Sequence, residues 1–315
     1  MADLLMPQAQ IDADREGWLE LRRGGITGTD IATILGHSSY DSPFALWHRK
    51  KGNLPGPVQT DRMRLGTVLE EYVAQRWRES QTEWTVGGGG LWGDGWRLAT
   101  VDRTLHGWFS FTEGAPVGVL ECKTVGSWQG WGAAGSGEVP PGVRAQALWG
   151  ADVLGVPVAH VAALNRTTGE FRSYVLDRGC VMADGLSHGC ESCAERARWM
   201  EAGEKFLTSL RSGTPPPVDG AEATAAALRA LHVPVAERRA AVPLETWSQW
   251  RKARAMARET AAEAKCWDAR MRDALGDAET GVVGDLDVVR RRITPRAGYT
   301  VAPGTQDKLE EIKEK

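Results

Sequence analysis

The chain is poor in cysteine, and the five it has in 315 residues form no pattern that would staple a small secreted fold. An odd count without framework spacing points to a reducing cytoplasm as its expected location. No apolar run approaches the roughly 20 residues of a membrane span, and the N-terminus lacks a signal-peptide pattern, so no membrane partner is expected. Excess charge of either sign is also missing. The formal net charge of −3 offers no general attraction to nucleic acid, although a local basic groove would survive such averaging. No internal repeat is present. What is there is an ordinary globular composition, 42% hydrophobic and 25% charged, with the unusual number of 14 tryptophans, most of them expected in a core. The length suits one large domain, or one domain with an appendage.

The most informative stretch is 118–125, Gly-Val-Leu-Glu-Cys-Lys-Thr-Val. On a strand, Glu121 and Lys123 project from the same face of an otherwise apolar run. Charges in such a place are costly unless they pair or bind a metal. Upstream, Asp102 follows Val101 at the end of another predicted strand. Two carboxylates that hold a hard divalent cation, with a lysine that orients or activates water, form the set that phosphodiester hydrolysis uses. The main-chain carbonyl of Cys122 lies between them as a further hard-oxygen ligand, while its side chain points to the opposite face. Taken alone, Asp102 also suits a strand-end turn, and Lys123 an ion pair with Glu121.

Helices are expected over 14–22, from Thr27 through Leu35, over 43–51, over 62–81, over 143–154 and over 182–210, with a short one at 221–231. Strands are expected at 98–102 and 119–125, joined as a hairpin, and at 158–164 and 170–176; a strand–loop–strand region spans 86–95. A further helix from Trp250 to Ala274 carries a narrow seam of small residues, and 282–292 reads as a terminal hairpin turning at Gly284. The domain division is thus 1–212 for the core and 213–315 for a helical appendage. On the wheel of the 62–81 helix, Leu65, Leu69, Tyr72, Val73 and Arg76 share one side. Glu71 falls opposite, whereas Glu70 lies at the apolar edge, one turn after Gly66, and is the favoured helical carboxylate. Arg22 precedes a glycine turn and the helix start near Thr29, which together make an anion site, with Arg23 as the alternative.

In order and context these segments resemble the YqaJ-type, lambda-exonuclease-like branch of the PD-(D/E)xK nucleases. The resemblance runs from Trp18-Leu-Glu-Leu-Arg-Arg-Gly and Ile26-Thr-Gly-Thr-Asp through Gly66-Thr-Val-Leu-Glu, Val101-Asp102, Glu121-Cys-Lys123, and Pro140 with Gln146. The chain departs from the pattern in having Val101 before Asp102, a longer connection that includes 107–116, and no aromatic near Val143. The resemblance implies an α/β restriction-endonuclease-like core, a mixed central sheet flanked by helices, with a helical C-terminal appendage. It also implies a Mg²⁺-dependent exonuclease, Mn²⁺ substituting, that resects one strand of linear duplex DNA from a 5′ end for phage-type recombination. Asp102, Glu121 and the Cys122 carbonyl would hold metal, Glu70 a second metal or its water shell; Lys123 would serve the water, and Gln146 would face the site. Arg22 and Thr29 would hold the terminal 5′-phosphate.

Implied partners are double-stranded DNA ends, a single-strand annealing protein of the RecT/Beta kind, and further copies of the chain, as a homo-oligomer of trimeric type. The rival readings are another nuclease of the superfamily, either an endonuclease or an iron–sulfur single-strand exonuclease, and a non-catalytic DNA-end-binding protein. Cys180, His188, Cys190 and Cys193 do not meet the cluster spacing and are expected to be structural. Trp128 and Trp131, in the Gly-rich loop after Lys123, suit either packing or stacking on DNA.

Overall fold

The computed structural model describes residues 2–57, 59–107, 114–179, 191–233, 236, 239–283 and 285–290. Two units divide the chain, Met1–Val233 and Pro234–Lys315. The first opens with β1 (Asp3–Pro7), α1 (Gln8–Ala13), α2 (Arg15–Arg23), α3 (Gly28–Ile34), α4 (Pro43–Lys50) and α5 (Asp61–Ser80). Side-chain caps fix these starts. Asp14 accepts from Gly17 N, Ser42 from Ala45 N and Thr60 from Met63 N, while Thr27 and Asp30 form a capping box at α3. Strands follow as β2 (Trp84–Val86), β3 (Gly90–Asp94), β4 (Arg97–Val101), β5 (Arg103–Gly107) and β6 (Gly118–Val125). Then come α6 (Pro141–Leu154), β7 (Val158–Asn165), β8 (Phe171–Asp177), α7 (Glu191–Ser212) and α8 (Glu222–Leu231).

The main sheet has five strands in the order β2-β5-β6-β7-β8. Only the β6–β7 pair is parallel, and α6 supplies the crossover that a parallel pair needs. Along the chain the order α5-β2-β5-β6-α6-β7 is a helix, an antiparallel three-strand run, a helix and a parallel strand. This is the arrangement expected of a restriction-endonuclease-like core, and the mixed α/β class read from the sequence holds. One face of the sheet packs on α5 through Val73, Ala74, Trp77, Leu105, Leu120 and Ala162. The opposite face packs on α6, α3 and α7, where Val119, Val161, Trp149, Ile31 and Trp199 are buried together. Trp47, Trp77, Trp149 and Trp199 lie in the core, fewer than the majority expected: the other described tryptophans are only partly covered, and Trp247 and Trp267 are exposed.

Two expectations about the elements need correcting. The strand before Asp102 does not form a hairpin with β6. It belongs to a separate sheet, β1-β3-β4, and β5 intervenes as the antiparallel partner of β6. Asp102 is therefore the joint at which the chain passes from one sheet to the other. On α5 the buried stripe is Val73, Ala74 and Trp77; Leu65 is 45% exposed because the N-terminal half of the helix has no buried residue, and Tyr72 is 46% exposed because it stands on the flank of the stripe. The strand β1 and helix α1 carry too few residues for a periodic signal, and β1 is specified by its pairing with β3. The helix expected from Met182 is described from Glu191 onward.

Within the segment 213–231, helix α8 packs on α4 through Ala227, Phe44 and Ala45, and buried Thr224 donates to Ser42 Oγ at 2.7 Å. The second unit consists of α9 (Leu244–Leu275) and the antiparallel pair β9 (Thr280–Val283) and β10 (Leu286–Arg290). The expected turn residue Gly284 lies outside the described residues. No described helix is long and apolar enough to cross a membrane.

Candidate active site

On the central strand β6, Val119, Glu121 and Lys123 face α6, and Leu120 and Cys122 face α5. Glu121 is only 4% exposed. Its carboxylate pairs with the Lys123 ammonium, which also donates to Gln146 Oε1 on α6 at 3.0 Å. Asp102 reaches the same strand from the sheet joint, and its Oδ2 accepts the main-chain N–H of Cys122 at 2.7 Å. The carboxylate is thus clamped between the two charged residues of β6. Gly89 makes this possible: a Cβ there would lie 2.2 Å from the Asp102 carbonyl oxygen. The glycine run 87–90, which the sequence offered only as a turn region, lets the chain lie against Asp102.

Glu70 comes from α5 and accepts from Arg103 Nη1 at 2.8 Å, and Glu71 accepts from Arg103 Nη2 at 2.6 Å. Glu70 is the more buried of the two, at 26% side-chain exposure against 68% for Glu71. Arg103 was not singled out from the sequence, although its place directly after Asp102 was a signal. Among the described residues no three His, Cys, Asp or Glu side chains converge as a metal cluster. The side-chain oxygens on offer are those of Asp102 and Glu121, with Glu70 turned towards Arg103.

Burial first, and the charge of Asp102 second, push Glu70 and Glu121 up to about 7. Burial raises Asp102 as well, against the pull of Lys123. Burial works against the Lys123 ammonium too, yet Glu121 and Asp102 hold it above its ordinary value. Three carboxylates face two cations here, and the negative charge is incompletely compensated. The donors are all hard oxygens. Such donors would fit a hard divalent cation.

A cleft of about 450 Å³ opens beside this group and is lined by Trp18, Arg22, Thr29, Glu70, Asp102 and Gln146, among others. Arg22 Nη2 donates to Thr27 Oγ1 at 3.2 Å, and its guanidinium lies 4.5 Å from the centre of the Trp18 ring. Thr27 is the N-cap of α3, and exposed Thr29 is the second residue of that helix. Gly28 abuts α6, where a Cβ would lie 2.9 Å from the Gln146 carbonyl oxygen. This close approach brings the α3 start and Gln146 to one cleft. Arg23 instead pairs with Glu20 at the surface.

Trp131 packs on Tyr174 at 5.2 Å, and Trp128 donates to Glu170 at 2.7 Å under Arg172. Both tryptophans are half-buried against the core. Cys122 is packed beneath β6, Cys193 is half-buried on α7, and Cys180, His188 and Cys190 lie outside the described residues.

The family model for the YqaJ-like viral recombinase domain matches residues 17–156, which include Arg22, Thr29, Glu70, Asp102, Glu121, Lys123 and Gln146. The resemblance read from the sequence is thereby borne out for this segment. A 65-residue stretch is 38% identical to the uncharacterized protein YqaJ of Bacillus subtilis (strain 168). That match covers 20% of this chain and 20% of the relative, so the chain spans about a fifth of the length of the curated relative it matches. Among solved structures, the chain is similar to LHK-Exo in complex with dAMP, with 15% identity and a TM-score of 0.46 over 63% of this chain and 93% of that one. It is also similar to an alkaline exonuclease (LHK-Exo) from Laribacter hongkongensis, with 15% identity and a TM-score of 0.44 over the same shares.

Proposed function

We propose that this chain is a divalent-metal-dependent exonuclease that shortens one strand of linear duplex DNA from its 5′ end. The observation that carries the reading is that Asp102, Glu70, Gln146 and an arginine beside a helix start line one cleft, and that Gln146 holds Lys123, which is itself paired with Glu121 on the strand that Asp102 grips. The YqaJ-like recombinase domain model over 17–156 supports it. Asp102, Glu121 and the Cys122 carbonyl would hold Mg²⁺ or Mn²⁺, with Glu70 reaching a second ion or its waters once released from Arg103. The bound ion would supply charge stabilisation at the phosphate and a more acidic water.

The chain's own residues then have distinct tasks. Lys123 has three N–H donors, two of them used on Glu121 and Gln146, and the third is available to the attacking water or a phosphate oxygen. Gln146 keeps the ammonium in place from α6. Hydrolysis forms a bond from the water oxygen to phosphorus and breaks the bond from phosphorus to O3′, which takes a proton. The released nucleotide leaves with a 3′-hydroxyl, and the shortened strand keeps a 5′-phosphate. That is the group that Arg22 and Thr29 are placed to accept, so each turnover would regenerate the end that the cleft binds. The role is phage-type recombination, in which the exposed strand passes to a single-strand annealing protein.

End-labelled linear duplex should release nucleotides with Mg²⁺ and not with EDTA, and closed circular DNA should stay intact. Cleavage of the closed circle would make the protein an endonuclease, and no metal-dependent release at all would leave a non-catalytic end-binding protein. Retention on DNA at a net charge of −3 calls for enclosure by a homo-oligomeric ring, of trimeric type, rather than for counterion release. Light scattering should find an oligomer at micromolar concentration; a strict monomer that still degrades long tracts per binding event would sink the ring.

A further inference from the structure

Lys50 closes α4 with its side chain only 6% exposed. Its Nζ donates to the carbonyl of Arg22 at 3.0 Å and to that of Gly25 at 2.6 Å, and pairs with Asp30 Oδ2 at 3.0 Å. An ammonium has three donors, and all three partners lie in or beside the turn between α2 and α3. That turn is cross-linked in its own right. Asp30 Oδ2 accepts Thr27 N–H at 2.9 Å, and Thr27 Oγ1 accepts both Asp30 N–H at 3.3 Å and Arg22 Nη2 at 3.2 Å.

The links form one path from Lys50 through Asp30 and Thr27 to the Arg22 guanidinium. The second hold on that guanidinium is the Trp18 ring, itself fixed by Trp18 Nε1 donating to Thr100 Oγ1 at 3.1 Å. Burial alone would raise the Asp30 carboxyl, but the charges of Lys50 and Arg22 hold it below its ordinary value. Asp30 is therefore ionised in the turn, and Lys50 is its buried counterion. The capping box by itself would start α3 without a lysine, and a buried ion pair is a poor way to gain stability over an apolar filling. What the ammonium adds is a fixed position for the Arg22 and Gly25 carbonyls, and so for the turn that aims Arg22 into the cleft.

We infer that Lys50 is a positioning residue for 5′-phosphate recognition: it sets the α2–α3 turn so that Arg22 and Thr29 meet the terminal phosphate together. The inference rests on the proposed exonuclease reading. Its test compares two duplexes that differ only in a 5′-phosphoryl or 5′-hydroxyl end, for the full chain and for Arg22→Ala, Lys50→Met and Asp30→Asn. Arg22→Ala should reduce the preference for the phosphorylated end about tenfold, the scale of one charge-assisted hydrogen bond. Lys50→Met should lower the same ratio several-fold, through a raised KM for phosphorylated ends more than through kcat. Partial unfolding scales both rates together and leaves the ratio unmoved. Where Lys50→Met does not fold, Asp30→Asn decides, because it removes the charge of the same link with little change in shape. A ratio lost in Arg22→Ala but kept in the folded Lys50 or Asp30 variant overturns the inference alone. A ratio unchanged in Arg22→Ala overturns the phosphate reading and the inference with it.

Discussion

Asp102→Asn and Glu121→Gln should each lower turnover on linear duplex by about 10³-fold or more, the several kcal/mol that a correctly held metal contributes, at roughly 1.4 kcal/mol per decade. Both substitutions keep the shape of the side chain. The fold should survive Asp102→Asn, since an amide oxygen in place of Oδ2 still accepts the Cys122 N–H. Loss of rate would then report the missing charge, not a displaced strand. The apo protein should respond in the opposite direction. Asp102 raises both Glu70 and Glu121 by repulsion, so neutralising it relieves strain among three carboxylates. In EDTA, Asp102→Asn should melt at or above the wild-type midpoint, and saturating Mg²⁺ should stabilise the wild type more than the variant. Lys123→Met should lose about 10²-fold or more in single-turnover rate while still binding Mn²⁺ and DNA. A Lys123→Met protein that cuts at the wild-type rate, or an Asp102→Asn protein whose Mg²⁺-induced shift in midpoint equals that of the wild type, would move the chemistry elsewhere in the cleft.

The parts of this site that the sequence made legible are those with a short-range signature. The Glu121–Lys123 spacing on a β-branched run announces both the strand and the shared face, and the structure shows that strand at the centre of the sheet. The helix starts at Thr27 and Ser42 were readable for the same reason, since a cap is a contact over three residues. Contacts between distant segments were not. Nothing local says that β4 leaves for another sheet and that β5 takes its place beside β6, because strand pairing is settled by tertiary neighbours and not by propensity. The same holds for Arg103, whose ties to Glu70 and Glu71 span more than thirty positions, and for Lys50, which looks like one more basic residue at a helix end. The helical wheel of α5 identified Val73 but assumed that the whole helix is covered, and a wheel carries no information on where the neighbouring sheet stops.

Asp152 was invisible in the same way, and its removal should have the largest effect on stability. It sits on the buried face of α6 with its side chain 3% exposed. Three guanidiniums converge on it: Arg97 of β4 through Nη1 at 2.6 Å, Arg178 beyond β8 through Nη1 at 3.7 Å, and Arg196 of α7. Arg97 has a second partner in Asp94, and Arg178 also donates to the Ala151 carbonyl at 3.2 Å. One carboxylate thus ties both sheets and α7 to the crossover helix. Asp152→Ala would leave buried Arg178 without a carboxylate, against Arg97 and the part-exposed Arg196, a change of the kind that costs about 3–5 kcal/mol. For a unit of this size that lowers the melting midpoint by roughly 10 °C. Asp152→Asn should fall between, because the amide oxygen still accepts from Arg97 but brings no charge. The damage should extend to activity through Gln146, which α6 carries less than two turns earlier and which holds Lys123. Asp152→Ala should therefore lose rate at temperatures where it is still folded, with metal affinity less affected than turnover. Thermal melts give the first quantity and single-turnover assays well below the midpoint the second. An Asp152→Ala midpoint within 2 °C of wild type, on the scale of roughly 2–4 °C per kcal/mol, would mean that the three arginines find other partners and that the hub is dispensable.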